Sequence, residues 1–159
     1  MVDYTFRTLG DQRDLKRLRG FLHRQGLWYP DYERWIENVC IPDLERGYKS
    51  AVVAYSNGVV IGDCVWQPHK ELPRTGELKN LRVLEPHRNR DIGHFLLRQA
   101  EEEMRGAFDI IIGDTDSESG AVINLLRVSG YRELHRTPLY TNHRIDVVFT
   151  KDLTKRRAA

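Results

Sequence analysis

The sequence predicts a mixed α/β domain with the order β-α-α-β-β-β-α-β-α-β-β. Three observations lead there. Short runs of β-branched and aromatic residues are bounded by turn residues. Other stretches repeat apolar residues every three or four positions, the spacing of one helix face. Between them, Leu78 to Ala100 reads LKNLRVLEPHRNRDIGHFLLRQA, a strand joined to a helix by a basic turn.

Tyr4 to Leu9 alternates as a short strand, and Gly10-Asp11 breaks it. Asp11 or Gln12 opens a helix with Leu15, Leu18, Phe21 and Leu22 on one face, ending near Gly26. Leu27-Trp28-Tyr29-Pro30 is an aromatic loop. Tyr32 to Leu44 predicts a second helix, with Trp35, Ile36 and Val39 facing inward and a kink or restart at Pro42. Ser50 to Tyr55 and Val59 to Gln67 form a hairpin around Ser56-Asn57-Gly58. A polar loop, 68–76, leads to a fourth strand from Glu77 to Val83. The helix after the basic turn carries Ile92, Leu96, Ala100 and Met104 and runs to about Gly106. Phe108 to Ile112 reads as a strand buried on both faces, followed by Asp114-Thr115-Asp116-Ser117. A helix over Ser119 to Val128 is capped by Gly130. Tyr131 to Tyr140 and Arg144 to Thr150 close the chain as two strands, with a bulge or edge at Pro138.

The 159 residues fit one domain, 1–153, followed by a basic, solvated tail, 154–159. Lysine and arginine number 25 against 23 acidic residues, a balance that argues against a dedicated nucleic-acid binder. No apolar run is long enough to span a membrane. The N-terminal MVDYTFRTLGDQ lacks the pattern of a secretory signal. Cys40 and Cys64 have no spacing of a metal or redox pair and read as buried thiols, and the six histidines form no ligand cluster. The expectation is a cytoplasmic protein with no metal, leaving a homodimer open.

The basic turn is the chemically informative stretch. A strand stopped by Glu85-Pro86, then His87-Arg88-Asn89-Arg90-Asp91, then a helix N-terminus makes an anion site. The first N–H groups of a helix lack backbone partners and point into the preceding loop. Arg88 and Arg90 add charges that fork onto phosphate oxygens. The turn resembles motif A of the GNAT acyl-CoA N-acyltransferases, R/Q-x-x-G-x-G/A, with Arg88 first and Gly93 last. Asp91 stands where the motif has its middle glycine. The closing SGAVINLLRVSGY is similar to the family's motif B, with Gly130 and Tyr131 at its end. The element order agrees along almost the whole chain, from about Tyr4 to Leu153.

The resemblance implies the GNAT fold, whose fourth and fifth strands splay apart to admit the cofactor. It implies an acyl-CoA donor, most simply acetyl-CoA, and an amine acceptor. Leu81, Arg82 and Val83 would hold the pantetheine arm through their backbone, and the Val83 N–H would polarise the thioester. Arg88, Asn89, Arg90, Asp91, Ile92, Gly93 and His94 would hold the pyrophosphate, and Ser119 matches the asparagine position of motif B. Glu77 begins the strand where such enzymes often carry a proton-relaying glutamate; it also reads as a solvated strand-entry residue. Asp114 or Asp116 would bind the incoming ammonium, or serve as turn and cap residues. The position of the family's tyrosine acid holds Leu126, which donates no proton, so Tyr140 is the substitute candidate, against an ordinary exposed tyrosine. Trp28 and Tyr29 would wall the acceptor, or form a lid on the core. Asp91 suits left-handed backbone angles and a helix cap. A weakly or non-catalytic acyl-CoA sensor, a toxin acetylating aminoacyl-tRNA and a protein-lysine modifier stay open as alternatives.

Overall fold

The computed structural model describes residues 2–27 and 29–155. The chain forms two compact units, Met1–Gln67 with Lys79–Ala100, and Pro68–Leu78 with Glu101–Ala159. The sheet has seven strands, which, numbered along the chain, lie side by side in the order 1-2-3-4-5-7-6, and the fourth contributes residues to both units.

In the first unit, β1 (Tyr4–Thr8), β2 (Ser50–Ser56), β3 (Val59–Pro68) and the end of β4 (Thr75–Val83) are neighbours. β1 pairs antiparallel with β2, from Tyr4 opposite Ser56 to Thr8 opposite Val52. β2 pairs antiparallel with β3 around Asn57 and Gly58, whose φ values of 49° and 78° are those of a primed two-residue turn. Helix α1 (Gln12–His23) starts where Asp11 accepts the Asp14 N–H at 2.7 Å. Its apolar face, Leu15, Leu18, Phe21 and Leu22, packs with Ala51, Val53, Tyr55 and Val65 of the sheet.

The expected second helix has three parts: α2 (Tyr32–Trp35), a π-helical turn (Ile36–Cys40) and α3 (Ile41–Glu45). Pro42 sits in the first turn of α3, and the wider turn before it accommodates the missing N–H without a break. The extra residue in that turn shifts the helical phase. Ile36 and Cys40 are buried, while Val39, expected inside, faces outward at 39% exposure.

In the second unit, the start of β4 runs parallel to β5 (Ile110–Asp116), Thr75 to Glu77 beside Ile110 to Ile112. β5 pairs antiparallel with β7 (Asp146–Asp152), and β7 with β6 (Arg132–Thr137). The sequence placed β5 too early. Phe108 precedes it, Ile110 is exposed and Ile111 is buried, so the strand is not buried on both faces, and Asp114 and Asp116 lie inside it. The bulge falls between Glu133 and His135 rather than at Pro138, which lies beyond the strand. Helix α5 (Gly120–Val128) ends at Gly130, whose φ of 86° is the left-handed angle of a helix stop. Helix α4 (Ile92–Met104), which belongs to the first unit as far as Ala100, buries Ile92, Leu96, Leu97, Ala100 and Met104, the periodicity expected.

Candidate active site

The anion-type turn lies entirely in the first unit. After β4 the Leu84 N–H bonds to the Ile61 carbonyl at 2.7 Å, fixing the strand's exit. A single 3₁₀ turn, Glu85–His87, follows, with Pro86 in its first turn. Asn89 and Asp91 then take φ values of 59° and 60°. Two left-handed residues reverse the chain tightly, and asparagine and aspartate tolerate that angle better than other side chains. The Phe95 N–H reaches the Asp91 carbonyl at 3.0 Å, so α4 starts directly on this turn and its first N–H groups face it. Gly62 of β3 is required by the close approach of β4: a Cβ there would meet the Arg82 carbonyl oxygen at 2.7 Å.

Both turn arginines are exposed and anchored by one edge. Arg88 Nε donates to the Val83 carbonyl at 3.0 Å. Arg90 Nη1 donates to the Tyr4 hydroxyl at 3.0 Å, and that hydroxyl lies 3.3 Å from His87 Nδ1. Anchoring holds each guanidinium at the turn, where its other N–H groups are available to an anion. The Asp91 carboxylate accepts no hydrogen bond from a described residue, so the expected side-chain cap does not form.

On the face of the first unit covered by α1, α2 and α3 lies a polar cluster that no motif pointed to. Asp63 of β3 is fully buried. Its Oδ2 accepts from Asn80 Nδ2 at 2.6 Å, and its Oδ1 has no hydrogen-bond partner among the described residues. Burial pushes the Asp63 carboxyl up to about 7, against the opposing pull of Asn80 and Arg82. The other end of Asn80, Oδ1, accepts from Arg82 Nε at 3.3 Å. Arg82 is partly buried, and the loss of water pulls its guanidinium below its usual range. Tyr32, Asp63 and Tyr29 are near enough to oppose that shift, and Arg88 adds to it. The Tyr32 hydroxyl donates to the Leu22 carbonyl at 3.1 Å, and burial raises its pKa well above the ordinary phenol. The one sequence signal was an acid, Asp63, inside the apolar strand VVIGDCVW. Tyr29 packs against the core cluster and lines an open depression with His23, Leu27 and Tyr32. Trp28 lies outside the described residues, as do residues 156–159 of the tail.

In the second unit the register gathers several residues singled out in the sequence. Glu77 lies beside Ile112, and strand alternation puts Glu77, Ile112, Asp114 and Asp116 on one face. Tyr140, in the loop after β6, donates its hydroxyl to Asp114 Oδ2 at 3.0 Å. Asp116 is otherwise committed: it takes Arg144 Nη1 at 2.7 Å and the Glu118 N–H at 2.9 Å. Ser119 stands at the N-cap position of α5 without a side-chain cap bond. Leu126 is buried in the core.

Residues 15–131 match the profile of the acetyltransferase (GNAT) family. The chain belongs to the GNAT acetyltransferase family. Solved structures share the fold. A GNAT-family chain from Desulfovibrio desulfuricans superposes with a TM-score of 0.80 at 14% identity, covering 95% of this chain and 99% of that one. The Salmonella typhimurium protein yncA, solved with its cofactor acetyl-CoA, gives a TM-score of 0.76 at 18% identity, covering 98% and 96%. The ribosomal-protein-S18-alanine N-acetyltransferase of Escherichia coli gives 0.74 at 16% identity, covering 95% and 94%. No curated protein sequence matches the chain significantly.

Within this GNAT chain, the turn that follows Arg88 runs from Asn89 through Asp91 into α4. Gly93, expected at the last position of the motif, falls within the first turn of that helix.

Proposed function

We propose that the chain transfers acetyl from acetyl-CoA to a primary amine by direct attack in a ternary complex. The observation that carries this reading is the paired left-handed turn at Asn89 and Asp91, which delivers the N-terminus of α4 beside two anchored arginines. Arg88 and Arg90 hold the pyrophosphate, together with main-chain N–H groups of Asp91, Ile92, Gly93 and His94. Main-chain groups of Leu81, Arg82 and Val83 align the pantetheine arm, and the Val83 N–H polarises the thioester carbonyl. Ser119 lines the cofactor's path in the second unit.

The amine must reach the thioester as a free base. Glu77 takes its proton, directly or through water. The nitrogen lone pair forms the bond to the carbonyl carbon, and collapse of the tetrahedral intermediate breaks the C–S bond. The CoA thiolate leaves and is protonated by Tyr140, which draws on its hydrogen bond to Asp114 for orientation. Because Asp116 is already paired with Arg144, Asp114 is the acid that attracts the ammonium. Tyr29 walls the acceptor. The domain, 1–153, acts in the cytoplasm without a metal.

A thiol-release assay with acetyl-CoA against amines, peptides and charged tRNA tests this. Amine-dependent CoA release with formation of the acetylated amine is expected. Acetyl-CoA binding without turnover of any acceptor would leave an acyl-CoA sensor instead.

A further inference from the structure

We propose that the Arg82 guanidinium receives a carboxylate of the acceptor, so that the amine acetylated belongs to a small amino acid. The inference rests on the acetyl-transfer reading above and deepens it.

Arg82 donates one hydrogen bond to a described residue, Nε to Asn80 Oδ1, and forms no ion pair among the described residues. A guanidinium carries five N–H donors, so most of this one's donors have no acceptor among the described residues. Taking such a charge out of water without an anion is costly, and burial does pull the group down. Asp63 acts on Arg82 only at a distance and forms no direct ion pair with it among the described residues. Asn80 stands between the two, giving Nδ2 to Asp63 and Oδ1 to Arg82. The same amide therefore fixes the Nε edge of Arg82 inward and leaves the Nη groups for a ligand.

The neighbours favour one kind of ligand. Arg88 adds positive charge nearby, and the Tyr32 phenol, raised by burial, stays neutral and tied to the Leu22 carbonyl. The remaining acid near Arg82, Asp63, is enclosed in the core. A planar guanidinium matches a planar carboxylate through two parallel N–H···O bonds. A phosphate would call for more cations than this one partly buried arginine. Arg82 also adjoins Val83, whose main chain is assigned to the thioester, so a carboxylate seated on it lies close to the reacting amine. An α-amino acid has that compactness, with amine and carboxylate on one carbon.

The test compares acceptors in matched sets with acetyl-CoA: free α-amino acids, their amides and methyl esters, and the corresponding decarboxylated amines. The free acids should lead in kcat/KM on the order of a hundredfold, mainly through KM, as expected for a desolvated charge pair. In Arg82→Gln the ratio of acid to decarboxylated amine should collapse toward one, and Arg82→Lys, which keeps the charge but not the fork, should give an intermediate ratio. If Arg82→Gln does not fold, the wild-type ratio decides alone. Equal turnover of acids and decarboxylated amines would overturn the inference and leave acetyl transfer intact. If no amine is turned over, acetyl transfer fails. Calorimetric titration of amino acids and their amides into the CoA-saturated protein then decides: preference for the free carboxylate supports the Arg82 site, and no binding overturns it.

Discussion

Asp63→Asn removes one ionisable group from the interior of β3 and should flatten the protein's stability against pH. Asp63 is fully buried, and desolvation raises its pKa from 3.8 to about 7. A group whose folded pKa lies above its unfolded value binds its proton more tightly in the folded state. Its contribution to stability is complete below the unfolded pKa and is lost as pH rises through the folded one. Between about pH 5.5 and about pH 8.5 the wild type should lose roughly 2 kcal/mol from this group, which the asparagine variant does not lose. For a chain of this size that equals roughly 4–8 °C in Tm. The substituted amide can still accept from Asn80 through its carbonyl, while its buried NH₂ lacks an acceptor and costs about 1–3 kcal/mol at every pH. The offset moves both ends of the curve equally, so the slope is the readout. Thermal or urea unfolding of both proteins across that range measures it. Parallel curves would refute the reasoning, showing that Asp63 stays ionised through a partner or solvent contact stronger than its burial.

Three further variants address the reaction. Glu77→Gln should lower turnover on the order of a hundredfold with a smaller effect on acetyl-CoA affinity; an unchanged rate and pH profile would return Glu77 to a purely structural place in the β4–β5 ladder. Tyr140→Phe should slow CoA release while acetyl-CoA affinity holds, and a full-speed variant would point to water as the acid. Asp91→Gly should bind acetyl-CoA several-fold tighter, most clearly at low salt, since two unit charges about 6 Å apart repel by roughly 3 kcal/mol at an effective dielectric near 20. Because the Asp91 side chain makes no cap bond among the described residues and its backbone is left-handed, the glycine variant should lose no stability; calorimetric titration at two ionic strengths and a thermal scan check both.

The order of elements was legible because each leaves a periodic or turn signal. The Asn57-Gly58 turn, the four-residue spacing along α4 and the Gly130 stop all stand where the sequence places them. What escaped has physical reasons. Nothing in IENVC announces a π turn, so the phase shift that exposes Val39 was invisible. Asp114 and Asp116 read as turn residues from composition, yet pairing with β7 carries β5 through them. The turn between β4 and α4 was legible down to the left-handed Asp91, but not the folding of Arg88 onto Val83 or of Arg90 onto Tyr4. Those contacts leave no pattern in the sequence. The link of Asp63 through Asn80 to Arg82 joins β3 to β4, and only strand pairing brings the three together.

That link is also a poor way to build a core. β3 is otherwise lined by Val60, Ile61, Cys64 and Val65, all buried. An apolar residue of similar size at position 63 would spare the desolvation of a carboxylate, and exchanging buried charges for apolar side chains is often neutral or stabilising. The cluster keeps an acid with one oxygen unpartnered, an amide used at both ends and a guanidinium with donors to spare. The carboxylate accepts from the amide, and the amide turns its oxygen toward Arg82. If Asn80 were reversed, its NH₂ would meet the guanidinium and its oxygen the carboxylate, two mismatched contacts. Asp63 therefore sets which way Asn80 points, and Asn80 sets which edge of Arg82 is turned inward. A stability cost borne in the core becomes orientation of one cation on β4, the kind of supporting contact on which a binding geometry depends.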